Sequence, residues 1–98
     1  MSSISLFSIY DKKSELYGDV HASPTRQSAM RNLANLVNSS AKSVISAHPE
    51  DFDLFLVGYL DVASGCVTSL DKPEFVVNSI TLIRDVAKSP IDDNVDIN

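Results

Sequence analysis

The sequence predicts a single α+β domain in which two β-hairpins form a four-stranded antiparallel sheet and one main helix packs on it, with a second short helix near Glu74 to Val86. Three observations predict it. Two pairs of short apolar runs are each joined by turn residues, one stretch between them carries a helical stripe, and 98 residues suit one compact domain.

Ile4 to Asp11 reads as a strand, because Leu6, Phe7, Ile9 and Tyr10 suit a pleated surface. Lys12-Lys13-Ser14 turns the chain into a return strand, Leu16 to Ala22. Strict alternation places Leu16 and Val20 on one face and Tyr17, Asp19 and His21 on the other, while Gly18 weakens the strand or marks a bulge. Ser23-Pro24 offers a helix start, with Thr25 as the alternative cap. Met30, Leu33, Ala34 and Val37 then fall at i, i+3, i+4 and i+7, the stripe of an amphipathic helix over 25–38. Asn38-Ser39-Ser40 breaks it, and Lys42 to Ala47 is expected to add one turn before Pro49.

Asp53 to Asp61 alternates Leu54, Leu56 and Leu60 with Phe55, Val57 and Tyr59, so both faces of this strand are apolar and both need cover. Val62-Ala63-Ser64-Gly65 is a turn, and Cys66 to Leu70 the partner strand. Asp71 followed by Glu74 resembles a capping box, which would turn Phe75, Val76, Ile80 and Ile83 inward on a helix. The β-branched pair Val76-Val77 leaves a strand open as the alternative. The domain is expected to span 1–88, followed by a flexible acidic tail, 89–98, with Asp92, Asp93 and Asp96 and little apolar area.

Composition bounds the function. The chain is 44% hydrophobic and 21% charged, ordinary globular usage, and its net charge of −5 is the opposite of a strongly basic nucleic-acid binder. The charge is uneven: Met1 to His48 carries five basic and three acidic residues, Pro49 to Asn98 three and ten. An anionic partner therefore prefers the first half. A lone cysteine, Cys66, closes no internal disulfide and fits a reducing cytosol. The longest apolar run, Leu54 to Leu60, is far short of the ~18 residues of a membrane span. An apolar stretch precedes the first basic residue, the reverse of a signal peptide, so neither export nor membrane insertion is expected.

Candidates for nucleic-acid contact are Lys12 and Lys13 in the first turn, Arg26 and Arg31 on the helix, and Tyr10 and Tyr17 as stacking platforms. The plainer reading is solvated cations and tyrosines half-buried in a sheet. His21, His48 and Cys66 are the soft metal ligands and fall in no zinc spacing, so no metal and no cofactor is expected. Asp51 and Asp53 more often solvate a turn than bind magnesium or move protons, and three scattered glycines make no phosphate loop. No enzyme is expected.

The opening FSIYDKKSELYG, the helix around Ala29-Met30-Arg31, the string HPEDFDLFLVGYLD, the turn SGCV and the later PEFVVNS together resemble one family. It is the small non-structural DNA-binding protein of the gokushoviruses, single-stranded DNA phages of the Microviridae. The resemblance covers roughly residues 6 to 80, and HPEDF running directly into an apolar strand is its most specific piece. It implies a phage protein of the host bacterial cytoplasm that binds DNA, single-stranded by preference, in viral DNA replication, single-strand synthesis or packaging. The acidic balance favours a competing class, an adaptor acting on a viral or host replication or assembly protein without touching DNA. Because one helix covers one sheet face, a homodimer through Phe55, Val57 and Tyr59 is expected as well.

Overall fold

A computed structural model describes residues 2–39 and 43–84. In chain order it contains β1 (Ser3–Asp11), β2 (Leu16–Ser23), α1 (Arg26–Val37), the single-turn α2 (Val44–Ala47), a 3-10 turn at Pro49–Asp51, β3 (Phe52–Asp61), β4 (Val67–Asn78) and a 3-10 turn at Ser79–Leu82. The strands form one antiparallel sheet in the order β2-β1-β3-β4. The expected α+β architecture is therefore present, with the four-stranded sheet, the main helix α1, and a short second helix, α2, at the turn expected over Lys42 to Ala47 and not near Glu74 to Val86. The expected acidic tail, 89–98, lies outside the described residues.

Thr25, not Ser23, caps α1. Its hydroxyl accepts the Ser28 backbone N–H at 3.0 Å, and the Ser28 side chain reaches back to the Thr25 N–H at 3.2 Å, a reciprocal capping box. Ser23 belongs to β2 and is buried. The helix lays Ala29, Leu33 and Val37 on Phe7 of β1 and on Leu54 and Leu56 of β3. Met30, Ile45, Val77 and Leu82 pack around this cluster half-buried. The far end of α1 is tied to the end of β4: Asn38 donates to the Leu82 carbonyl at 2.9 Å and accepts the Arg84 N–H at 2.8 Å.

Bulges correct two expected strand faces. In β2, Ser8 pairs with Val20 but Tyr10 pairs with Tyr17, so one residue is extra around Gly18-Asp19. Val20 thereby joins Tyr17 on one face, and His21 sits opposite Phe7 on the other. In β3, Phe7 pairs with Leu56 while Leu6 pairs with Gly58, leaving Val57 extra. Tyr59 then shares a face with Ser5 and Phe7, and Leu60 with Ile4 and Leu6, so Phe55 and Tyr59 do not form one surface.

The helix expected near Glu74 to Val86 is also corrected. Strand β4 continues through Asn78 and is followed by the 3-10 turn, while residues 85 and 86 lie outside the described set. Glu74 caps nothing. It sits opposite Leu56 and forms an ion pair with Arg26, whereas Val77 packs opposite Leu54. Ladder pairing and burial of the β-branched pair outweigh the local capping signal.

Gly58 allows β3 and β4 to approach closely, since a Cβ there would lie 2.5 Å from the Thr68 carbonyl oxygen. Gly58→Ala should destabilise by about 1–3 kcal/mol, a fall in Tm of roughly 4 °C or more by thermal unfolding. Gly18→Ala, whose Cβ meets Ile9 O at 3.6 Å, should leave Tm unchanged or higher.

In the β3–β4 turn, Asp61 accepts the Ala63 N–H at 2.9 Å and the Ser64 N–H at 3.4 Å, and the Ala63 bond above all holds its carboxyl below the usual aspartate range. A carboxylate whose pKa is lower folded than unfolded adds stability above the unfolded value, and this is lost as pH falls through the folded value. Asp61→Ala should thus melt below the wild type at neutral pH and approach it in acid, as followed by melting at several pH values.

Candidate nucleic-acid interface

Strand alternation turns Tyr10, Phe55 and their neighbours away from α1, because Phe7, Leu54 and Leu56 face it. On that opposite face each strand supplies one ring. Tyr17 of β2 is directly opposite Tyr10 of β1, and Phe75 of β4 is directly opposite Phe55 of β3. Tyr10 and Tyr17 lie 4.7 Å apart between ring centroids, Tyr17 and Phe55 5.5 Å, Tyr10 and Phe55 6.0 Å, and Phe55 and Phe75 5.8 Å. The contacts of Phe55 are edge-to-face, at 75–80°. The result is an aromatic band across the sheet. Its outer rings are open to solvent, Tyr17 45% and Phe75 54% exposed, while Tyr10 and Phe55 are half-buried between them.

The first turn sets the charge at one end of the band. Lys12 and Lys13 follow Tyr10 in the chain after Asp11, and both are exposed. The Lys12 ammonium lies 3.9 Å from Asp53, which stands opposite Tyr10 on β3 and also accepts the Asn78 side-chain amide at 2.6 Å. Asn78 further bonds the carbonyls of Glu50 and Phe52, so Asp53 is held in place.

The sequence candidates thus divide into two groups. Tyr10, Tyr17, Lys12 and Lys13 come together. Arg26 and Arg31 ride on α1, on the other side of the sheet, with Arg26 engaged by Glu74 and Arg31 exposed. Phe55, expected at an oligomer interface, and Phe75, expected inside a helix, complete the band. Phe75 reaches it only because an extra residue at Val76 shifts the β3–β4 register, with Leu54 opposite Val77 and Phe55 opposite Phe75. Tyr10, Tyr17 and Phe55, each within a predicted strand, were the available signal; the register was not, nor was Phe75, which lies beyond the expected fourth strand Cys66 to Leu70.

Other candidate chemistry is sparse. His21 is on β2, Cys66 is exposed after the β3–β4 turn, and His48 precedes the 3-10 turn, so the three soft ligands belong to three different elements. Among the described residues, His48, Glu50 and Asp51 bring one ligand atom each within 4.8 Å of one another on that turn. His48 and Glu50 are solvent-exposed, and such clusters are common without an ion. Asp51 uses its backbone carbonyl to accept the Lys12 N–H at 2.9 Å, locking the two turns together.

Comparison with known proteins matches the family model of the phage ORF5 protein over residues 4–82, which include β1 to β4 and the whole aromatic band. The chain belongs to the phage ORF5 protein family. Protein ORF5 of Chlamydia phage 1 is 34% identical over 84 residues, covering 74% of this chain and 88% of the relative. No solved structure matches. The phage origin read from the sequence therefore stands, and among the described residues of this ORF5-family chain no helix is long and apolar enough to cross a membrane.

Phe55 is the hub of the band, touching three rings, whereas Phe75 touches one. At about 0.5–1.5 kcal/mol per aromatic pair beyond area burial, Phe55→Ala should lower Tm clearly more than Phe75→Ala. Thermal unfolding of the two variants checks the order.

Proposed function

We propose that this chain is a phage accessory protein of the host bacterial cytoplasm that binds single-stranded DNA on the aromatic face of its sheet, in viral DNA replication, single-strand synthesis or packaging. The observation that carries the reading is the four-ring band, with half-exposed Tyr17 and Phe75 at its ends and Lys12 and Lys13 beside it. Bases of any sequence stack on such rings, each worth about 1–3 kcal/mol, while lysines meet the phosphates. The net charge is less adverse than it looks. Residues 85–98 hold four acidic groups and one basic one, so three of the five net negative charges fall outside the described residues.

The uncovered apolar face also supports a second reading, a homodimer through the same band. Val67, opposite Leu60, is 63% exposed and extends the apolar surface beyond the rings. Sedimentation at micromolar concentration separates the readings, because a dimer through the band buries the rings and competes with DNA.

Titrating labelled oligothymidine into the protein should quench tyrosine fluorescence, since two of the three tyrosines sit in the band. Tyr17→Ala or Phe75→Ala should weaken binding about tenfold, from the stacking lost. Lys12→Gln with Lys13→Gln should flatten the salt dependence by roughly 0.7 per lost phosphate contact, and Arg31→Gln should leave it unchanged. Absence of salt-sensitive binding at about 50 mM salt would overturn the DNA reading and leave the adaptor class.

A further inference from the structure

A second surface lies on the helix side of the sheet. In the order β2-β1-β3-β4, β2 is an outer strand, and Leu16 to Ala22 are all exposed. Its stretch Val20–Ser23 pairs with β1 in unbroken register, bounded by the bulge at Gly18-Asp19 and by Pro24. The other outer strand is unlike it, because β4 carries Pro73 within its irregular middle and has its Glu74 drawn to Arg26. Among the described residues β2 therefore offers the longest unbroken free edge, Val20–Ser23 against Val67–Ser69 of β4, and an edge of this kind accepts a further strand.

Beside that edge runs a groove. The helix sits over β1 and β3 and leaves a hollow of about 460 Å³ between itself and β2, floored by Phe7 and Ile9 and walled by Leu33 and Leu36. A second hollow of about 380 Å³ continues it along β2, sharing Ile9, His21 and Leu36 and reaching Leu16, which is 66% exposed. The walls are apolar for most of the length, and the far end is acidic, with Asp11 and Asp19. No lysine or arginine lines either hollow.

We propose that this edge and groove form a docking site for an extended segment of another protein, which adds as a strand along Val20–Ser23. Alternate side chains of that segment are apolar and enter the groove between β2 and α1. A lysine or arginine beyond them meets Asp11 and Asp19. Strand addition couples main-chain hydrogen bonds, which give affinity, to side-chain pockets, which give selection. Charge identifies the occupant, since an acidic groove end without cations favours a basic-flanked strand and disfavours the acidic stretch 85–98 of this chain. The groove opens on the helix side and the aromatic band on the other, the two meeting at Tyr17 of β2, which also lines the second hollow, so the protein would hold a nucleic acid and a protein strand on opposite faces.

The test uses the full chain labelled with nitrogen-15 and three synthetic peptides: alternating valine and threonine flanked by lysines, the same core flanked by glutamates, and the lysine-flanked peptide with alternate amides N-methylated along each edge in turn. The lysine-flanked peptide should shift the amide signals of Val20–Ser23 and Leu36 saturably. The glutamate-flanked peptide should bind at least tenfold more weakly, and one N-methylated form should lose at least tenfold. Leu36→Glu, on an exposed helix position, should fold and lose at least tenfold in affinity. Shifts confined to the aromatic band, equal binding by both N-methylated forms, or no preference for lysine would overturn the proposal. So would concentration-dependent shifts at Val20–Ser23 without peptide, which would make a second copy the occupant, or their change on deleting residues 85–98, which would make it the chain's own terminus.

Discussion

One helix of twelve residues has to serve a sheet of four strands, and it reaches only one face of it. At 1.5 Å per residue, α1 is about 18 Å long, enough to seat Phe7, Leu54 and Leu56 but not to extend over β2 as well. The remaining organisation follows from this shortage. The centre of the sheet, β1 and β3, is buried on the helix side, β2 is left as a bare margin beside a hollow, and the far face is left to its own side chains. There the chain protects itself by packing rings on rings, so that Phe55 and Tyr10 are partly shielded without a second layer. A four-stranded sheet with one cover is stable only if its open face is either tolerated by water or taken by a partner.

The sequence is clear about the elements and silent about their offsets. Both hairpins, the helix and its break are legible because each depends on local chemistry: strand-forming runs, turn residues, a capping hydroxyl and a 3.6-residue stripe. Tyr10 and Tyr17 are legible as a pair because they flank a short turn. The faces of β2 and β3 are not, since a single extra residue at Gly18-Asp19 or at Val57 inverts every position beyond it. Phe75 was hidden twice, once by a capping signal at Asp71 and Glu74 that the fold does not use, and once by the extra residue at Val76. Glu74 itself shows why the signal failed: its carboxylate is engaged by Arg26 from a distant part of the chain, which no local window contains.

Charge is sorted by the same geometry. The two arginines of α1 lie over the helix side, and the first-turn lysines lie at the end of the band, so the basic first half of the sequence is not one basic surface. Asp53, pinned by Asn78 beside Lys12, tempers the lysine end. For the proposed DNA contact, such an arrangement would supply only a weak attraction to phosphates and leave the affinity to the rings.

The sheet order β2-β1-β3-β4 sets the first strand against the third, so Ser3–Asp11 finds its central partner only when Phe52–Asp61 exists. At about 5–20 residues per second, the first hairpin would wait several seconds on the ribosome with Phe7 uncovered before β3 is made. Closing so long a loop is the costly step, and once β3 docks, α1 and both outer strands gain their cover together. Assembly of this chain is thus all-or-nothing by topology: a nascent fragment ending before β3 lacks Leu54 and Leu56 and is a hairpin and a helix without a core.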